Sequence, residues 1–131
     1  MLAAYNYDVN ENAKLLWLTA DNIKDLSDNG HIVGLHSYSH PTVMITKNYA
    51  EQRDEYETNK NQLEKIIQKK IFSVSYPCNS YNEDTLRCMN ELGVTIGFRA
   101  NMQDICIGNK MLEIPREDHS NIVRSMKESN S

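Results

Sequence analysis

The chain has 131 residues and a formal net charge of −4, with 40% hydrophobic and 24% charged residues. This composition is typical of one globular domain, and the length excludes a closed eight-stranded α/β barrel, which needs about 250 residues. No basic cluster is larger than Lys69-Lys70, and no apolar run approaches the roughly 20 residues that cross a membrane, so neither nucleic acid nor a membrane is expected as a partner.

The N-terminus and the cysteines indicate the compartment. Residues 1–12 lack the basic and apolar stretches of a secretory signal, so we expect a cytoplasmic protein. The three cysteines, Cys78, Cys88 and Cys106, are odd in number and show no C-x-x-C spacing. This pattern favours reduced thiols over a disulfide framework or a cysteine-based zinc site.

Predicted elements begin after residues 1–14, which show little periodicity and are left unassigned. Thr19 can cap a helix that ends at Asn29-Gly30. The apolar run HIVGLH at residues 31–36 then predicts a short buried strand.

Helical spacing of apolar residues predicts a long amphipathic helix over about 48–69. A strand is predicted at 71–75, and Asn82 can cap a third helix that stops at Gly93. Residues 94–99 form the last predicted strand. This alternation indicates an α/β fold with parallel strands and right-handed crossovers.

The sharpest local feature is HSYSHP at 36–41, which places His36 and His40 four residues apart. Because a residue before proline is pushed out of the α region, the pair lies on a loop rather than within a helix. That loop follows the predicted strand, at the end where α/β sheets bind their ligands. Two imidazoles there suit zinc, cobalt or nickel, although a polar turn with two unrelated histidines has the same spacing.

A second feature is the turn Tyr76-Pro77-Cys78, which follows the strand at 71–75 and precedes a helix cap. The backbone N–H of Cys78 is placed to donate to a developing oxyanion. The Cys78 thiol could instead act as a nucleophile, or it is a plain thiol near a turn.

The third feature is the charged stretch that follows Ile114-Pro115. Arg116 could clamp a carboxylate, and Asp118 or His119 could exchange protons with a substrate. A solvated C-terminal loop explains the same residues.

Together these features resemble the polysaccharide deacetylase family, carbohydrate esterase family 4, over about residues 17–121. In that family the two histidines of the His-Ser-x-x-His motif, here His36 and His40, bind the catalytic metal together with an Asp. The segment at 75–82 is similar to the family's third motif, so Tyr76, Pro77 and Cys78 would wall the acetyl pocket. The resemblance implies a partial (β/α) barrel with parallel strands alternating with helices.

The chain also departs from the family pattern. The family's Thr-Phe-Asp-Asp-Gly motif, which supplies a metal ligand and the general base, is absent, and Asp8 lies in a context that does not match it. Ser75 stands where many members have an arginine. By its position in the later, loosely matched motifs, His119 would be the catalytic acid.

We therefore expect an N-terminally truncated, metal-dependent deacetylase of N-acetylated sugars at residues 1–121, followed by a polar tail at 122–131. Zinc is the expected metal and an acetylated carbohydrate the expected partner. Because a sheet without its first strand exposes pairing groups, a homo-oligomer is expected as well. The alternative is an inactive remnant of the same fold that binds carbohydrate or acts as a scaffold.

Overall fold

The computed structural model describes residues 8–14, 16–103 and 110–128. Its helices are α1 (Val9–Lys14), α2 (Ala20–Asp28), α3 (Tyr49–Ile67), α4 (Glu83–Glu91) and α5 (His119–Glu128). Its strands are β1 (Ser73–Ser75) and β2 (Ile96–Phe98), and two 3₁₀ turns cover Met44–Thr46 and Pro77–Asn79.

The sheet is parallel, as the sequence predicts. β1 pairs with β2, and each strand is three residues long, shorter than the predicted runs at 71–75 and 94–99. Single parallel bridges add Leu35 beside β1 and Ile114 beside β2. Four chain segments therefore lie side by side and run parallel, so their carboxyl ends lie at the same end of the sheet.

The prediction of a buried strand at 31–36 is wrong in its extent and burial. Pairing there is limited to Leu35, whose N–H donates to the Ser73 carbonyl at 2.8 Å and whose carbonyl accepts from the Ser75 N–H at 2.9 Å. Ile32 is 70% exposed. The described part of the chain places no strand on the far side of this segment. The segment therefore lies at the edge of the sheet and pairs with β1 through a single bridge.

Side-chain hydrogen bonds set the helix starts. Thr19 and Asn82 cap α2 and α4, which confirms both predicted caps. Asn48 caps α3 and exchanges a reciprocal bond with Glu51. The C-cap of α3 is Gln68, in the left-handed conformation with φ of 55°, so the helix ends within the predicted range.

The core lies between the sheet and the helices α3 and α4. Its buried apolar members are Leu35, Met44, Tyr56, Ile67, Ile71, Val74, Tyr76, Leu86, Cys88, Met89, Val94 and Leu112. On the other face of the sheet, the described residues line a cavity of about 450 Å³, mostly with apolar side chains, and this cavity reaches His36 and Ser75. The packed face holds the sheet in place, and the cavity leads to the predicted site.

The ends of the chain form helices that the sequence did not predict. α1 occupies part of the unassigned segment, and α5 covers most of the predicted polar tail at 122–131. Every residue of α5 is exposed. No helix in the described ranges is long and apolar enough to cross a membrane.

Candidate active site

His36 and His40 are brought together at the carboxyl end of the sheet. His36 directly follows the bridge residue Leu35, and His40 returns to it across a tight turn. Their ring centroids lie 4.9 Å apart, with the ring planes inclined by 61°. The two side chains therefore form one polar cluster.

A hydrogen bond sets the tautomer that the neutral His36 ring adopts. Its Nδ1 lies 2.7 Å from the backbone carbonyl oxygen of Ser75, the last residue of β1. Because a carbonyl can only accept, Nδ1 carries the proton and donates it. In the neutral ring Nε2 then holds the lone pair, which is the form in which imidazole binds a metal.

The turn between the two histidines has an unusual backbone. Ser37 and His40 have φ values of 63° and 55°, in the left-handed region that non-glycine residues seldom adopt. The His40 N–H donates to the Ser37 hydroxyl oxygen at 3.1 Å, which closes the turn. Ser37 is buried, so the turn packs against the rest of the protein and does not project into solvent.

Two side chains of α3 accept hydrogen bonds from this turn. Glu55 accepts the N–H groups of Tyr38 and Ser39 at 3.1 and 2.9 Å and the Ser39 hydroxyl at 2.5 Å. One helical turn later, Asn59 accepts the His36 N–H at 3.1 Å. Sequence reasoning missed both residues, because they lie in a charged helix segment whose polar side chains give no sign of their distant partners.

The charge of Glu55 is matched to this role. Burial by itself raises the pKa of its carboxyl group, but the hydrogen bonds from the hydroxyl and amide of Ser39 and from the amide of Tyr38 outweigh that effect. The pKa of Glu55 is consequently held below its ordinary value. An ionised carboxylate makes stronger hydrogen bonds than a neutral acceptor does.

The paired histidines fit a borderline divalent ion as two of its ligands. Two imidazoles that bind one ion through nitrogens about 2.1 Å away, at a near-tetrahedral angle, have ring centres about 5 Å apart. The observed separation is 4.9 Å. Within the described ranges, however, no group of three or more His, Cys, Asp and Glu side chains is arranged to hold a metal. Among the described residues, His36 and His40 are therefore two candidate ligands without a third beside them.

The turn after β1 contains two residues in the left-handed region. Cys78 and Asn79 have φ values of 51° and 56°, so the chain reverses sharply at Pro77–Asn79. The Asn79 side-chain oxygen accepts the N–H of Ala100 at 2.8 Å, which joins this turn to the end of β2. The N–H of Cys78 donates no hydrogen bond to any part of the chain that the structure describes.

Of the three predicted substrate-binding residues, Cys78 alone is exposed. The Tyr76 ring is buried, stacks on Tyr81 with centroids 4.6 Å apart, and its hydroxyl donates to the Leu112 carbonyl at 2.8 Å. Pro77 is buried as well. Tyr76 and Pro77 therefore support the turn from behind, and Cys78 provides its outer surface.

A buried polar cluster underlies the turn. The Tyr81 hydroxyl donates to Glu113 at 2.8 Å, and Glu113 and Arg99 are almost fully buried. Burial, followed by the bond to Glu113, raises the pKa of Tyr81 to about 12, so the phenol remains a donor at neutral pH. This cluster connects the chain beyond β1 with the ends of β2 and of the Ile114 segment.

The C-terminal candidate residues lie apart from the paired histidines. His119 is the first residue of α5, its ring is 91% exposed, and its Nδ1 lies 3.6 Å from Asp118. Among the described residues it makes no hydrogen bond or ring contact with His36 or His40. With Arg116 and Asp118, His119 lines a separate polar cavity of about 400 Å³.

Cys78 and Cys88 are free thiols in different environments. Cys78 is exposed, whereas Cys88 is buried in the core. Burial raises the pKa of the Cys88 thiol to about 11, so that side chain is inert at neutral pH. Cys106 lies outside the described residues.

The chain matches one known family. Residues 4–97 match the family model described as polysaccharide deacetylase. This segment is well over half of the 131 residues and contains both histidines and the turn after β1. No curated protein matches the sequence.

Similar solved structures share this fold. The deacetylase PplD of Streptococcus pyogenes, solved in complex with acetate, is similar with a TM-score of 0.69 and 23% identity, over 83% of this chain and 50% of that protein. The BpsB deacetylase domain of Bordetella bronchiseptica gives a TM-score of 0.65 and 17% identity, over 77% of this chain and 48% of that domain. BA3943 of Bacillus anthracis, a pseudoenzyme of the CE4 family, gives 0.54 and 23% identity, over 57% of this chain and 26% of that protein. The chain thus spans half or less of the length of these structures.

Proposed function

The chain belongs to the polysaccharide deacetylase family, with a partial (β/α) barrel fold, and from that premise we propose that it provides the metal-binding and oxyanion-binding side of a deacetylase acting on N-acetylated sugars. The observation that carries this proposal is the His36 hydrogen bond to Ser75, which leaves a lone pair on Nε2 while the His40 ring lies beside it. Two unrelated surface histidines would not be expected to show both the oriented ring and the close ring pair.

The chain's own residues would divide the work by position. His36 and His40 would hold a divalent ion, most simply zinc, through ring nitrogens. The bound ion supplies polarisation of the acetyl carbonyl and activation of water. The Cys78 N–H would donate to the carbonyl oxygen as it gains negative charge. His119 is the proposed proton donor to the departing amine, a role that requires it to approach the substrate.

Amide hydrolysis also needs a general base, and a metal centre needs at least one further protein ligand. Neither is grouped with the paired histidines among the described residues. The proposed function therefore requires two further groups, one as metal ligand and one as general base, in addition to the paired histidines. The cavity beside His36 leaves room for these groups and for a sugar.

A second candidate is a non-catalytic carbohydrate-binding or scaffold protein with the same fold. The incomplete ligand set of the described residues favours it. In this alternative the cavity beside His36 still binds carbohydrate, but the protein does not hydrolyse the acetyl group.

Acetate release from short N-acetylglucosamine oligomers separates these candidates. The pure protein with added zinc or cobalt should release acetate, and a chelator or His36→Ala should stop the release. Sugar binding without acetate release would instead support the non-catalytic candidate.

Cys78→Ser serves as the control for nucleophilic chemistry, because it removes the thiol and keeps the backbone N–H. Activity should survive this substitution. Its loss in Cys78→Ser, with activity retained in His36→Ala, would show a cysteine-dependent hydrolase.

Self-association remains a prediction. The segment at 31–36 is an edge in the described structure, and such edges are sites where copies of a chain can pair. Light scattering on the purified protein should give the mass of a dimer or larger, and a monomeric mass across the micromolar range would contradict it.

A further inference from the structure

The turn that contains the two histidines cannot be stable through its own bonds alone. Ser37 and His40 both occupy the left-handed region, which is unfavourable for a residue other than glycine. The bond within the turn is the one from the His40 N–H to the Ser37 hydroxyl. The remaining support has to come from outside the turn.

Glu55 provides most of that outside support. Its carboxylate accepts three hydrogen bonds from two consecutive residues, Tyr38 and Ser39, which stand between the left-handed positions. These bonds link residues that are 16 and 17 positions apart in sequence. They fix the middle of the turn to α3, a helix of 19 residues with its own N-terminal cap.

Asn59 extends the same support to the first histidine. It follows Glu55 by four residues, which places both side chains on one face of α3. Through Asn59 the helix holds the His36 backbone, and the Ser75 carbonyl holds the His36 ring. Within the described ranges the His40 ring makes no equivalent bond to another element, so its position depends on the turn that Glu55 holds.

We propose that Glu55 is a positioning residue that sets the two imidazoles at the separation required to bind one metal ion. The inference rests on the proposed metal binding by His36 and His40. Glu55 itself is not grouped with the two imidazoles as a third ligand, and its carboxylate accepts the Tyr38 and Ser39 donors instead. Its effect is preorganisation: without it, part of the binding energy would be spent on ordering the turn.

The test is a cobalt(II) titration of the full chain, followed by the cobalt absorption spectrum. Removing an outer support of a metal ligand typically lowers metal affinity about 10–100-fold. Glu55→Ala should show a loss in that range, because it removes all three acceptor contacts. Glu55→Gln should recover most of the affinity, since its amide oxygen still accepts the backbone N–H groups.

Glu57→Ala is the matched control on the same helix. Glu57 pairs with Arg53 at 3.4 Å, its side chain is 46% exposed, and within the described ranges it forms no hydrogen bond or ion pair with the turn. Its cobalt affinity should stay within about twofold of the parent, as expected of a surface change away from the site. Equal losses in Glu57→Ala and Glu55→Ala would show a general effect on α3 and overturn the inference.

Amide hydrogen exchange of the metal-free protein gives a second readout. The Tyr38 and Ser39 amides should exchange faster in Glu55→Ala, while core amides of β1 remain protected. Should Glu55→Ala fail to fold, Ser39→Ala removes the hydroxyl contact alone and should weaken cobalt binding several-fold. Unchanged cobalt affinity in Ser39→Ala would then overturn the inference.

The outcomes separate this inference from the proposed function. If the parent protein binds no cobalt, both fail. If the parent binds cobalt through the paired histidines and Glu55→Ala binds it equally well, the positioning role fails and the proposed function stands.

Discussion

Two histidine-bearing segments of this chain differ in what holds them. Residues 36–39 make hydrogen bonds to partners 16 to 39 residues away in sequence. The side-chain bonds of residues 117–121 reach no further than four residues. Both segments are polar and mostly exposed, so composition does not distinguish them.

The difference teaches which segment can keep a fixed geometry. Short-range bonds form and break with the local helix, whereas bonds to a distant helix and strand persist as long as the fold does. The turn at 36–40 therefore has the rigidity that a metal site requires. The start of α5 keeps its shape through bonds among its own neighbours.

The largest expected contrast is in metal affinity. His36→Ala should lower cobalt or zinc affinity by more than about 100-fold, a larger loss than removal of an outer support produces. His119→Ala should leave the affinity within about twofold. Calorimetric titration of both variants checks this contrast, and a comparable loss in His119→Ala would show that the C-terminal segment reaches the metal.

Global stability should separate the same two regions. Leu35→Ala removes a core side chain that is 1% exposed, so the free energy of unfolding should fall by about 2–5 kcal/mol. Val123→Ala on α5, where the side chain is 46% exposed, should change it by no more than about 0.5 kcal/mol. Urea unfolding measures both changes, and similar values would contradict the distinction.

The features that the sequence could predict are those that depend on short-range contacts along the chain. Caps and turns depend on near neighbours, so Thr19, Asn82 and Gly93 were identified correctly. The extent of the strand at 31–36 depends on what lies beside it, which no local pattern shows.

In the site, too, the residues close in sequence could be predicted and the distant ones could not. The spacing of His36 and His40 pointed to a shared turn, and the structure brings the two rings together. Glu55 and Asn59 could not be found, because a polar residue on an amphipathic helix looks the same whether it faces solvent or a turn.

The smallest expected effect concerns two carboxylates with lowered pKa values. Burial alone raises the pKa of Glu64, but hydrogen bonds from Lys60, the Ile71 N–H and Lys70 lower it to about 2. Glu64→Gln should lower the free energy of unfolding at pH 7 by about 1 kcal/mol. Asp118, whose pKa is lowered mainly by the Ser120 hydroxyl and amide, is exposed and should have no measurable effect when changed to Asn.

The pH dependence follows from the direction of the Glu64 shift. A carboxyl group whose pKa is lower in the folded state stabilises the protein above its unfolded value of 4.5. That contribution is lost as the pH falls from 4.5 through about 2. Unfolding curves of the parent and Glu64→Gln should therefore converge in acid, and a constant gap down to pH 2 would contradict the assignment.

The most direct test of the central claim is a zinc titration followed by NMR of the ring nitrogens of all four histidines. The signals of His36 and His40 should move together and reach an end point at one ion per chain, with His36 keeping its proton on Nδ1, while His31 and His119 stay in place. Separate end points for His36 and His40, or no movement of either, would contradict a shared metal ion.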